Sequence, residues 1–224
     1  MKFNGTLEDI IIVDGHTDIP RDVYLRKSKM EENPFFKNHY FQLKNSGVNI
    51  VFANIFTKGS EENHLIEGLL EVENILRIAE ESNGVVIIKN IEDLEYVLKN
   101  NKLGMILSLE GFEPLCGHIE LLDVYYRLGI RAAMLTWNGK NPFASGNDEE
   151  TGGLTKLGYL AIKKMNELGI LVDVSHLNED GFWDIIKANK NLTIASHSNA
   201  RALFNHPRNL TDEQIKAIAN SGGV

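Results

Sequence analysis

Residues 10–18 read Ile10-Ile11-Ile12-Val13-Asp14-Gly15-His16-Thr17-Asp18. A run of branched apolar residues, too short for a helix, predicts a strand over Ile10–Val13. The residues after the run separate two ways of building a parallel α/β sheet. A doubly wound nucleotide-binding sheet places a glycine-rich turn after its first strand. Here the strand runs into an imidazole flanked by two carboxylates. Polar donors at strand ends are typical of a barrel whose site lies at the C-terminal face.

The pattern repeats outward from this segment. Apolar runs at Val48–Ile55, Met105–Leu109, Ala132–Thr136, Ile170–Val174 and Thr193–Ala195 predict further strands, and Val85–Ile88 predicts an extra one at the rim. Between them lie helical stretches. Residues 61–81 carry Leu65, Leu69, Val72, Leu76 and Ala79 at helical spacing, and others span 90–98, 119–128, 154–168, 179–188 and 211–219. Gly129 and Gly169 stand where helix C-caps are expected. Alternating strands and helices give a parallel sheet, and the expected fold is a TIM-type (β/α)8 barrel in one domain over residues 1–224. Six main strands are visible, and Ser221-Gly222-Gly223-Val224 reads like the start of a seventh. A full barrel has eight strands and usually about 250 residues. The expectation is therefore an incomplete barrel lacking its C-terminal strands. Asn138 to Gly153 is the candidate for a long polar active-site loop.

Composition narrows the function. The 224 residues are 43% hydrophobic and 24% charged, with net charge −8 and pI about 5.4. That acidity argues against nucleic acid or an anionic membrane as partner. Cys116 is the single cysteine, so neither an internal disulfide nor a thiolate-rich zinc site can form, and nothing around it resembles a cysteine-nucleophile pattern. The absence of a signal-like start and of a membrane-length apolar run leads to a cytoplasmic expectation.

The donors that remain are oxygen and nitrogen. His16 and Asp18 are two apart, which by strand alternation puts both on one face. Glu110 follows the apolar run Met105–Leu109 directly. His176 and His197 each follow a serine at a predicted strand end. Neutral imidazole and carboxylate together suit zinc and similar divalent ions. Taken singly, each has a plainer reading: a capped strand end for His16 and Asp18, a solvated loop residue for Glu110, a hydrogen-bonded rim residue for either later histidine. Barrel closure would gather all of them at one mouth. His39, His64, His118 and His206 lack that placement and read as surface or packing residues.

The spacing of these motifs resembles the membrane (renal) dipeptidase family. Val13-Asp14-Gly15-His16-Thr17-Asp18 is similar to its first metal motif and Ser108-Leu109-Glu110-Gly111 to its bridging-glutamate motif. Asp173-Val174-Ser175-His176 and Ser196-His197-Ser198 resemble its later histidine motifs, and Pro207-Arg208-Asn209 its substrate-binding arginine segment. The resemblance runs in order along nearly the whole chain. It implies two divalent ions, zinc above all, with His16 and Asp18 on one, His176 and His197 on the other, and Glu110 shared as the catalytic bridge. It also implies a small peptide substrate, dipeptides with a C-terminal D-residue included, whose carboxylate pairs with Arg208.

Two departures stand out. Where vertebrate members carry a substrate-contacting histidine, this sequence has Trp137, a candidate substrate contact or a packing aromatic at the rim, and stabilisation of the oxyanion falls to Asn138 or to the metal alone. The family's aspartate near the last strand, which takes part in proton transfer, has no counterpart within the 224 residues. The rival readings are another binuclear amidohydrolase, acting on acyl-amino acids or cyclic amides, and an inactive truncated fragment. An open barrel would expose strand edges, which makes a homo-oligomer an expected arrangement.

Overall fold

The computed structural model describes residues 10–58 and 61–224. Seven strands, β1 (Ile12–Thr17), β2 (Val48–Ile55), β3 (Val85–Ile87), β4 (Leu103–Glu110), β5 (Ile130–Met134), β6 (Leu171–Asp173) and β7 (Thr193–Ile194), form one sheet among the described residues. The order is β1-β2-β4-β5-β6-β7, every pair is parallel, and β3 pairs β4. Gly104 pairs with both β2 and β3, so β3 lies on the edge of β4 that β5 takes up further along. The rim strand expected at Val85 is thus hydrogen-bonded into the sheet.

Alternation divides β4 into two faces. Leu103, Met105, Leu107 and Leu109 join Val51, Ala53 and Ile55 of β2 in the main core under the helices. The other face is apolar only at its lower end, where Ile50, Ile88 and Val97 cluster with Ile106 against it. At its upper end the same face carries Asn54, Ser108 and Glu110, all buried. Burial on both sides is why this central strand reads as a nearly continuous apolar run.

The helices are α1 (Ile19–Ser28), α2 (Phe41–Asn45), α3 (His64–Glu81), α4 (Ile91–Lys99), α5 (Leu121–Leu128), α6 (Lys156–Leu168), α7 (Glu179–Ala188) and α8 (Asp212–Asn220). Asn90, Thr155, Asn178 and Thr211 cap α4, α6, α7 and α8 by accepting a backbone N–H, and Thr211 forms a reciprocal capping box with Gln214. Gly129 and Gly169 end α5 and α6 in the left-handed conformation expected of them. Among the described residues, no helix is long and apolar enough to cross a membrane.

Two expectations need correction. The first strand runs over Ile12–Thr17 and not Ile10–Val13, because Asp14 to Thr17 continue the pairing with β2, irregularly, and the Thr17 hydroxyl donates to the Phe52 carbonyl. Ile10 and Ile11, which precede the strand, and Ile12 and Val13 at its start are exposed apolar residues. Asp18 leaves the strand altogether and stands at the N-cap of α1. Pro20 opens this helix and its polar composition gives it no clear apolar stripe, so the sequence pattern does not reveal it. The Asn138–Gly153 segment is a long loop with a packed interior. Phe143, Ala144 and Ser145 are buried, and short antiparallel bridges tie Ala144 to Leu154 and Gly146 to Leu177. Beyond α8, residues 221–224 run beside β7, where the Ala195 N–H donates to the Val224 carbonyl.

The sheet curls until its two ends meet at their upper tips. Gly15 of β1 lies so close to the Ser196 carbonyl that a Cβ there would sit 2.8 Å from it. Outside the sheet, Glu71 of α3 is fully buried between Arg21 of α1 and the Phe56 N–H. Burial outweighs these partners and pushes its pKa up to about 8. Between about 4.5 and 8 the folded chain then holds a proton that the unfolded chain has lost, so stability falls as pH rises through that window. Glu71→Gln removes the titration. Urea unfolding across that range should show the wild type losing stability relative to the variant, and parallel curves would contradict the assignment.

Candidate metal centre

The site is built where strands end. Glu110 closes β4 on the concave face, only 5% exposed. Its Oε2 lies 3.6 Å from His16 Nε2, and its Oε1 lies 3.1 Å from His176 Nε2 and 3.7 Å from His197 Nε2. Asp18 Oδ1 reaches His16 Nε2 at 3.4 Å from the N-cap of α1. Its carboxylate makes no capping bond to the helix, which leaves it available to the cluster. On the other side His176 Nε2 and His197 Nε2 are 2.8 Å apart, and the His16 and His197 rings stack at 3.7 Å. One ligand atom each from His16, Glu110 and His197 lies within 4.8 Å of the other two. The five residues singled out in the sequence therefore converge, with Asp18 beside His16 and His176 beside His197 and Glu110.

Each imidazole is held by its far nitrogen. His176 Nδ1 bonds Asn138 Oδ1 at 2.7 Å, His197 Nδ1 bonds the Ser196 hydroxyl at 2.8 Å, and His16 Nδ1 bonds the Asn54 amide. The three Nε2 atoms are left pointing at one carboxylate, a donor arrangement that fits divalent metal ions. Asn138 is thus engaged with His176. Trp137 packs against Phe56 at 5.0 Å, its ring 6.2 Å from that of His176. Asn54 is not among the residues that the sequence singles out. Its signal is nonetheless present: an amide near the end of the mainly apolar strand Val48–Ile55, on the alternation face that carries Glu110 across the ladder.

A second carboxylate sets the frame. Asp173 is 1% exposed, and its Oδ1 accepts the N–H of Ser175 at 2.9 Å and of Ser196 at 3.3 Å. The Ser175 hydroxyl in turn accepts the His197 N–H. One buried group therefore ties together the ends of β6 and β7. Between them His176 sits at φ 72°, a left-handed conformation that costs a residue other than glycine about 1–3 kcal/mol and that clusters at functional sites.

Protonation favours metal over proton at two of the three rings. Burial lowers the pKa of His176. Burial, reinforced by His16, Arg208 and His176, pushes that of His197 down to about 2. Burial opposes the imidazolium of His16 too, but the Asp18 bond and the Glu110 charge outweigh it and raise the pKa. Arg208 donates to the Ser198 hydroxyl at 2.9 Å and the His197 carbonyl at 3.0 Å, which brings its guanidinium to the edge of the cluster. The remaining histidines stand apart. His39 bonds Asp22, His64 bonds Thr57, and His118 and His206 are exposed.

The sequence profile of the membrane dipeptidase family, peptidase family M19, matches residues 1–224. The chain belongs to the membrane dipeptidase family. Among relatives, an uncharacterized Klebsiella pneumoniae protein from the pqqA 5' region is 40% identical over 139 residues, covering 59% of this chain and 51% of that protein. An uncharacterized dipeptidase of Schizosaccharomyces pombe is 29% identical over 249 aligned residues, covering 100% and 60%. Of solved structures, a Rhodobacter sphaeroides metallopeptidase bound to a phosphinate mimic of L-Ala-D-Ala superposes with TM-score 0.86 at 23% identity, over 96% of this chain and 72% of that one. The chain spans about half to three-fifths of the length of these curated relatives. The fold shared with the membrane dipeptidase family is therefore the open, parallel α/β part of a TIM-type barrel.

Removing the Asp173 carboxylate should cost stability without touching the cluster itself. Asp173→Ala leaves the Ser175 and Ser196 N–H groups short of an acceptor, a loss of about 1–3 kcal/mol. Thermal unfolding of the metal-free protein reads this directly, and an unchanged midpoint would mean that the two strand ends are held by something else.

Proposed function

We propose that this chain provides the metal centre of a dipeptidase that hydrolyses short peptides, those with a C-terminal D-residue included, with two divalent ions, most simply zinc. The observation that carries this reading is the split of Glu110. One carboxylate oxygen faces His16, which Asp18 flanks, while the other faces His176 and His197. Two half-sites that share a carboxylate suit a pair of cations better than one. Such ions, when bound, supply Lewis acidity, acidifying a water and polarising a peptide carbonyl.

The protein's own groups do the positioning. His16 and Asp18 would hold one ion, His176 and His197 the other, and Glu110 both. Asn138 and Ser196 keep two imidazoles aimed inward from their far nitrogens. Arg208 is half-buried and already fixed by two hydrogen bonds, so its planar fork is preorganised for a carboxylate. A substrate whose C-terminal carboxylate meets Arg208 beside His197 has its last peptide bond near the cluster, which selects short peptides by reach. Trp137 and Phe56 form an aromatic wall on the side of His176. The ligand of the Rhodobacter relative, a mimic of L-Ala-D-Ala, supports a dipeptide with a D-residue at its C-terminus. Hydrolysis adds the water oxygen to the acyl carbon and releases the amine with the water's protons shared between the products.

Two measurements test this reading. Metal analysis of the purified protein should find near two equivalents of zinc, falling sharply in Glu110→Ala. Full occupancy in that variant would remove the shared role of Glu110. In the intact enzyme, Arg208→Met should raise KM for dipeptides by at least tenfold, the effect of losing an interaction worth about 1.4 kcal/mol. Unchanged dipeptide kinetics with that variant would favour a substrate without a free carboxylate, such as a cyclic amide.

A further inference from the structure

We propose that Asn54 is a positioning residue for His16, an amide that turns over when the site is loaded so that its carbonyl accepts the Nδ1–H of the metal-bound ring. The inference rests on reading His16 as a ligand. Asn54 is 1% exposed, in β2, paired in register with Ser108 and thus on the face that carries Glu110. Its Nδ2, which can only donate, contacts His16 Nδ1, while its buried Oδ1 has no hydrogen-bond partner among the described residues.

The direction of that bond fixes the tautomer. A ring that accepts at Nδ1 carries its proton at Nε2, facing the carboxylates of Asp18 and Glu110. That proton satisfies two anions in the absence of a cation, but it blocks Nε2 as a donor. A metal at Nε2 requires the proton to reside on Nδ1. Nδ1–H would then confront the N–H groups of the amide. Rotation of the Asn54 side-chain amide by a half-turn replaces that clash with a hydrogen bond to the orphaned Oδ1. The other two rings need no such change, because His176 Nδ1 already faces the carbonyl oxygen of Asn138 and His197 Nδ1 faces a hydroxyl that can donate or accept. A primary amide offers a donor and an acceptor of nearly equal shape at this point. An apolar side chain serves neither form, and a carboxylate serves only the loaded one.

The test compares Asn54→Leu with Asn54→Asp in zinc titrations against a competing chelator. Loss of an outer partner of a metal-bound histidine typically costs 10–100-fold in affinity, and that is the effect expected of Asn54→Leu. Asn54→Asp, which retains the acceptor, should bind zinc at least as tightly as the wild type. Nitrogen-15 imidazole spectra of the wild type, with His16 assigned by its loss in His16→Gln, should show a proton on Nε2 without zinc and on Nδ1 with it. The spectra decide the matter even if Asn54→Leu fails to fold. Asn54→Leu binding zinc like the wild type, Asn54→Asp weakened as much as Asn54→Leu, or a His16 tautomer that zinc leaves unchanged would each overturn the role of Asn54. Failure of the wild type itself to bind zinc would instead overturn the metal-centre reading beneath it.

Discussion

A carboxylate buried at the mouth of a curled sheet organises this molecule. Glu110 is almost sealed from water, yet the nearest side chains across its two oxygens are imidazoles from β1 and from the ends of β6 and β7. Burying such a group without compensation is expensive. A cation held between the carboxylate and the imidazoles would meet that cost, and three rings reach one carboxylate because the ends of the sheet meet. The approach of Gly15 to the Ser196 carbonyl, the stacking of His16 on His197 and the left-handed turn at His176 all serve that meeting.

Around this centre the polar groups are layered. Asp173 fixes backbone, and Asn54, Asn138 and Ser196 fix rings through their far nitrogens. The Nε2 atoms are what remains exposed to a ligand. Charge points the same way, since Glu110, Asp18 and Asp173 bring more negative charge than Arg208 offsets, a field that favours divalent cations. Arg208 is held at the rim by the Ser198 hydroxyl and the His197 carbonyl, where the proposed reading sets it against a substrate carboxylate.

Much of this is legible in the amino-acid sequence alone. Val48–Ile55 and Glu179–Ala188 fall where their patterns put them, and helix starts at Asn90 and Thr211 and ends at Gly129 and Gly169 follow from local capping chemistry. The candidate metal donors are readable because each stands at or just beyond the end of a strand, where a barrel turns its chemistry. The features that escape such a reading depend on contacts remote in sequence. β1 continues through Asp14 to Thr17 because β2 accepts its pairing, α1 is made by tertiary packing of Ile19, Pro20 and Val23 more than by an apolar stripe, and the π-helical turn Phe36–Tyr40 has no period of its own. Asn54 looks like an ordinary strand residue until its register against Ser108 places it under His16.

Anomalous diffraction at the zinc edge from crystals of the zinc-loaded protein addresses the centre most directly. Two peaks are expected, each against a different oxygen of Glu110, one shared with His16 and Asp18 and the other with His176 and His197. A single peak, or metal bound away from Glu110, would contradict the shared-carboxylate centre.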